Sequence, residues 1–203
     1  MLLYFEQPFP DRKARLISEL AEFTLGRFFT PARLKDITIN FELVSQVKGS
    51  DSAAYCSIDI PLREFTIELD RSMNMRILLL GVAHELIHVK QYLTGQMYEG
   101  NDDNHQYRTF WAGNIVNEDK WSAYDAPWEV EAYGMELGIL YRWLDASGYL
   151  GKYDWADAHL SHRSNLRQLK DAIESYINFE TTSETRSLDA IRKDIEVLIK
   201  TIK

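Results

Sequence analysis

The chain has 203 residues, with 23 Lys and Arg against 31 Asp and Glu, for a formal net charge of −8. That balance argues against general affinity for nucleic acid or anionic membrane surfaces. A hydrophobic fraction of 45% and a charged fraction of 27% suit a globular chain long enough to bury a core, and the single cysteine, Cys56, excludes an internal disulfide and a cysteine-built zinc ribbon. One thiol also favours a reducing compartment. Met1-Leu2-Leu3-Tyr4-Phe5-Glu6 has no basic start and too short an apolar run for a signal peptide. No run of about 18 apolar residues exists, so no membrane contact is expected and a cytoplasmic location is.

Residues from Asp11 to Phe28 predict an amphipathic helix, with Leu16, Ile17, Leu20, Phe23 and Phe28 on one side. Three strands follow, in which Ile37, Ile39, Phe41 and Leu43, then Ala54, Cys56, Ile58 and Ile60, then Phe65, Ile67 and Leu69 alternate with other residues. Such period-two alternation predicts a small, mainly antiparallel sheet with one buried face. Lys48-Gly49-Ser50-Asp51 reads as a turn, and Pro61 separates the second strand from the third. A long helix is predicted from Met73 to Leu93, capped by Asp70 or Ser72 and ended by Gly95. Tyr107 to Trp111 and Ile115-Val116 flank Ala112-Gly113-Asn114 as a hairpin. A further helix starts at Pro127 behind Asp125 and runs to Ala146, before Gly148. Two more helices are expected over Asn165–Phe179 and Leu188–Ile202. The whole reads as one domain: about 1–96 carries the sheet and long helix, about 97–150 the hairpin and next helix, and about 151–203 a helical extension.

Inside the long helix stands His84-Glu85-Leu86-Ile87-His88, the pattern HExxH. Residues four apart share a helix face, so both imidazoles can hold one zinc ion. Glu85 can then take a proton from a metal-bound water as that water attacks a carbonyl. The same residues could be plain core histidines. However, the flanks Leu78 to Ala83 and Val89 imply burial, and uncompensated His and Glu there would be costly.

A catalytic zinc needs a third protein ligand. The metzincin continuation would place Gly and His where Gln91 and Thr94 stand, so that pattern fails. Candidates downstream are His105, Asp102, Asp103, Glu129 and Glu131. Glu129 is preferred because it lies in the first turn of a helix that can pack beside the motif helix. Glu131 points roughly 200° away around that helix, and should not face the metal. An ordinary helix-start carboxylate, favoured by the helix dipole, is the plain alternative for Glu129. Tyr124, Tyr107 and His105 are candidates to stabilise an oxyanion, and Tyr124 is preferred because the loop just before this helix can reach the metal. Lys90 is expected in solvent, and Gln91 either hydrogen-bonds beside the metal or simply caps a polar pocket. His159 and His162 lack any motif context and read as structural. The five tryptophans, all between Trp111 and Trp155, read as core packing, with an aromatic cleft wall as the alternative.

Taken together, His84, Glu85, His88 and Glu129 resemble the zinc centre of gluzincin metallopeptidases, with HExxH plus a distant glutamate. Glu129-Val130-Glu131-Ala132-Tyr133 is similar to the E-x-x-A-D helix of the heat-shock and prenyl-protein membrane peptidases, with Tyr133 in place of aspartate. His84 to Gln91 also resembles the HExxHxxQ form of small soluble zincins, SprT-like and phage-encoded proteins among them, in which an ExEA segment follows. The resemblance covers about Ile37 to Leu144. It implies an α+β zincin-like fold, Zn2+ held by His84, His88 and Glu129, Glu85 as general base, and a peptide or protein substrate. It also implies that the strand before the motif helix, Phe65 to Leu69, edges the cleft. Tyr133 leaves open what orients a ligand histidine, for which its hydroxyl is a candidate. SprT-like proteins use a third histidine, which would promote His105. The leading expectation is zinc-dependent peptide hydrolysis. The alternatives are a non-catalytic zinc-binding interaction module and a SprT-like nucleic-acid-associated protease. Oligomeric state is not legible.

Overall fold

The computed structural model describes residues 1–6, 8–47, 54–59, 63–116, 121, 125–150 and 152–157. The chain divides into two compact units, Met1–Ala158 and His159–Lys203. The described residues belong to the first. His159, His162 and the two helices expected after Asn165 lie outside them, as do the 48–51 turn and Pro61.

The first unit is mixed α+β. In chain order it runs β1 (Leu2–Phe5), α1 (Asp11–Phe28), α2 (Pro31–Leu34), β2 (Thr38–Val44), β3 (Ala54–Asp59) and β4 (Glu64–Asp70). It continues with α3 (Met75–Thr94), β5 (Met97–Asn101), β6 (Tyr107–Trp111), β7 (Asn114–Ile115), α4 (Pro127–Ala146) and α5 (Asp154–Asp157). Among the described residues no helix is long and apolar enough to cross a membrane.

A four-stranded sheet has the order β1-β2-β4-β3. The sheet is not mainly antiparallel, as the alternation had suggested. β1 pairs parallel with β2, and β2 parallel with β4; only β3–β4 is antiparallel. Alternation reports which face is buried, and both strand directions satisfy it equally. α1 lies between β1 and β2, and parallel neighbours need such a crossover. β4 therefore sits inside the sheet, and the cleft-edge role expected of Phe65–Leu69 falls on no edge at all. Among the described residues the edges are β1 and β3. β1 escaped the sequence reading because its four residues carry too short a pattern.

Ile39, Phe41, Phe65, Ile67 and Leu69 point inward, all at 0% exposure. Register stacks Ile39 beside Phe65, Phe41 beside Ile67 and Leu43 beside Leu69. Each full burial of this kind stabilises by about 1.5–3 kcal/mol before entropy is counted. α3 covers that face. Its N-cap is Asn74, whose side chain accepts from the Ile77 amide at 3.1 Å; Asp70 instead accepts from the Ser72 amide in the turn before it. Gly95, with φ 72°, ends the helix in the left-handed conformation that costs glycine nothing. Where α3 crosses the edge strand, a Cβ on Gly81 would stand 3.2 Å from the Ala54 Cβ. The glycine lets helix and strand approach one turn before His84.

A second sheet, β5-β6-β7, follows α3. Ala112 and Gly113, with φ 48° and 81°, form the two-residue loop between β6 and β7. α4 begins with Pro127 at its first position and buries Ala132, Ile139, Leu140, Trp143 and Leu144. Trp143 is 1% exposed, in keeping with core packing.

Candidate metal centre

His84 and His88 lie one turn apart on α3, as the i, i+4 spacing requires. Their Nε2 atoms are 3.2 Å apart. From the start of α4, Glu129 brings one carboxylate oxygen to 3.1 Å from His84 Nε2 and the other to 3.4 Å from His88 Nε2. Ligand atoms of all three lie within 4.8 Å of one another, and this is the group of His, Cys, Asp and Glu among the described residues that could hold a metal ion. Two donors at zinc-bond length and tetrahedral angle stand about 3.4 Å apart, so the spacing and the His-His-Glu chemistry both fit zinc.

The electrostatics agree. Burial alone would lower the His84 pKa, but the Glu129 and Glu136 carboxylates outweigh it and hold it up to about 10. His88 is raised against its burial by Glu129 and Glu85. Glu129, which burial would raise, is pulled down to about 2 by the two imidazoles. The three groups together attract positive charge. A dication satisfies that demand as a proton does, and competes with it.

Glu85 is 5% exposed and adjacent to the cluster without belonging to it. Burial raises its pKa, only partly offset by His88 and His84. A buried carboxyl with elevated proton affinity suits a general base.

The surroundings correct several expectations. His84 Nδ1 lies 2.8 Å from Glu136 Oε2. A carboxylate only accepts, so Nδ1 carries a proton, and Nε2, which faces Glu129, is the nitrogen a metal would take in place of its proton. Glu136 thus takes the orienting role for which Tyr133 was a candidate. The Tyr133 ring instead leans on the His84 ring, with centroids 4.6 Å apart. Glu136 was findable: it lies seven residues past Glu129, two helical turns along the same face. Lys90 is not in solvent. Its side chain is 14% exposed and its ammonium bonds Glu131 at 2.6 Å and Gln96 at 2.9 Å. Gln91, 0% exposed, faces His88 Nδ1 at 2.8 Å. Glu131 bonds Lys90 and Gln91 rather than joining the three-residue group. His105 is exposed in the turn between β5 and β6 with φ 60°, and neither it, Asp102 nor Asp103 belongs to that group. Tyr124 lies outside the described residues. Comparison of the chain with protein-family models, with curated proteins and with solved structures finds no match.

Proposed function

We propose that this chain is a zinc-dependent peptidase of gluzincin type, with His84, His88 and Glu129 as metal ligands and Glu85 as general base. The observation that carries this reading is the convergence of two imidazole nitrogens and one carboxylate, at 3.1–3.4 Å from each other, from two separate helices. When bound, zinc supplies Lewis acidity, acidifying a water and polarising a peptide carbonyl. Glu85 takes the proton from the attacking water on its carboxylate and passes it to the leaving amine. Glu136 holds the His84 ring through Nδ1 and leaves Nε2 for the metal. Strand β3, which runs opposite to β4 and closes one side of the four-stranded sheet among the described residues, packs against α3 at Gly81 and is the strand along which an extended peptide would lie. The buried Glu85 favours an enzyme over a module that merely holds metal, because a structural site has no use for an unligated acid beside it.

The test is Glu85→Gln, which keeps size and removes the base. The variant should bind zinc as the wild type does and lose peptide hydrolysis by several orders of magnitude. Equal cleavage by both proteins would overturn the mechanism. Zinc binding with no cleavage by wild type across broad peptide libraries would leave the non-catalytic module in its place.

A further inference from the structure

We propose that Lys90, Gln91 and Glu131 form a positioning relay that locks His88 in one tautomer and one ring orientation, and thereby sets the zinc affinity of the centre from outside it. The proposal deepens the metallopeptidase reading and rests on its metal site.

Hydrogen-bond capacity fixes how Gln91 must sit. The Gln91 amide has one oxygen that accepts and a nitrogen with two N–H donors. Its Nε2 lies 2.9 Å from the Trp128 carbonyl oxygen and 2.9 Å from Glu131 Oε2. Both of those groups can only accept, so both N–H bonds are committed. Turning the amide over would set its oxygen against two acceptors in a buried place. The oxygen must therefore face His88 Nδ1, 2.8 Å away, and that nitrogen must be the one that carries hydrogen. His88 Nε2, 3.2 Å from His84 Nε2 and 3.4 Å from Glu129 Oε1, is then the nitrogen left for a metal.

Glu131 is fixed in turn. Its other oxygen receives the Lys90 ammonium, which also donates to Gln96. The relay thus joins a candidate ligand on α3 to the backbone and side chains of the first turns of α4, where Glu129 also sits. Side-chain exposures of 14% for Lys90 and 25% for Glu131 place their bond away from bulk solvent, where it holds its geometry. His84 is served differently, by the Glu136 carboxylate directly. Only an amide can serve His88 here, because one group must accept from the ring and donate to two acceptors at once. The Gln three residues after the second histidine and the second glutamate of Glu129-Val130-Glu131 so acquire one shared role.

The test measures zinc affinity of the full chain by competition with a chromophoric chelator, together with the His88 ring protons by nitrogen-edited NMR. Gln91→Leu should weaken zinc binding about 10–100-fold and abolish the slowly exchanging His88 Nδ1 proton. Gln91→Glu should also weaken it, since it sets a carboxylate against Glu131 and the Trp128 carbonyl. The exchange Gln91→Glu with Glu131→Gln should recover part of that loss, because the new amide donates to the new acid while the Trp128 carbonyl still faces a carboxylate. A merely structural role would not yield this rescue. Zinc affinity of folded Gln91→Leu within about twofold of wild type, or an exchange variant no better than Gln91→Glu alone, would overturn the relay. If Gln91→Leu does not fold, the exchange pair decides. If the wild type itself binds no zinc, the peptidase reading falls. The relay is then judged on the metal-free protein, standing if the Nδ1 proton is present in wild type and lost in the variants, and falling otherwise.

Discussion

Helices α3 and α4 deliver side chains to the same point by different means. α3 is a core helix: Leu79, Val82, Ala83, Leu86, Ile87 and Val89 are all at 0% exposure. Its histidines are placed by hydrophobic packing. α4 is core mainly in its second half, through Ile139, Leu140, Trp143 and Leu144, while its first half buries Ala132 but leaves Val130 and Tyr133 38% and 43% exposed. That half is docked on α3 by polar bonds: Glu129 to both histidines, Glu131 to Lys90 and Gln91, and Glu136 to His84. The difference teaches that two candidate ligands are pre-placed by the fold, whereas the third is held by the chemistry of the site itself. Close-packed interiors fix position through many small contacts. A polar dock fixes it through a few directional ones that depend on charge.

The comparison can be broken most completely by removing the pair on α3. His84→Ala with His88→Ala should lower zinc content from about one per chain to none, as read by elemental analysis. An unchanged content would remove the metal centre altogether. Next in size, Leu86→Ala should destabilise the fold by about 2–5 kcal/mol through lost burial and a cavity, as measured by denaturant unfolding. Glu129→Gln should alter the unfolding of metal-free protein far less, because α4 keeps its buried second half. Equal losses would contradict the division between packed and docked helices.

Chelating the metal probes the dock itself. At free zinc about 100-fold above its Kd, binding stabilises by about 2.7 kcal/mol. Hydrogen exchange should lose protection mainly over 127–136 when zinc is removed, with α3 still protected. Uniform loss along both helices would sink this view.

A smaller effect appears with pH in metal-free protein. His84 is raised from 6.5 to about 10, so the stability it gains from Glu129 and Glu136 is complete below 6.5 and fades as pH climbs towards about 10. Glu129 is lowered from 4.5 to about 2, so its share is complete above 4.5 and fades as pH falls towards about 2. The two shifts largely describe one interaction, seen from its acid and from its base. The stability difference between wild type and Glu129→Gln should therefore peak between pH 4.5 and 6.5 and shrink on both sides. Glu85, whose raised pKa opposes stability as it ionises, is present in both proteins and cancels to first order. A flat difference would show that the histidine–glutamate contacts do not hold α4.

Much of this protein was written locally. The bounds of α1 and α4, the Gly95 stop, the Ala112-Gly113 turn and the shared face of His84 and His88 all follow from neighbours within a few residues, where helix period and turn chemistry act. The convergence of Glu129 on the two histidines was expected from its helix-start position. Strand direction was not legible, because alternation is blind to it, and neither was the place of β4 inside the sheet. Nor were the partners of Lys90 and Glu131, which come from residues about forty positions away. A charged side chain read alone belongs in solvent. Only the packing of α4 against α3 supplies the counter-charges and acceptors that let Lys90, Gln91 and Glu131 leave it.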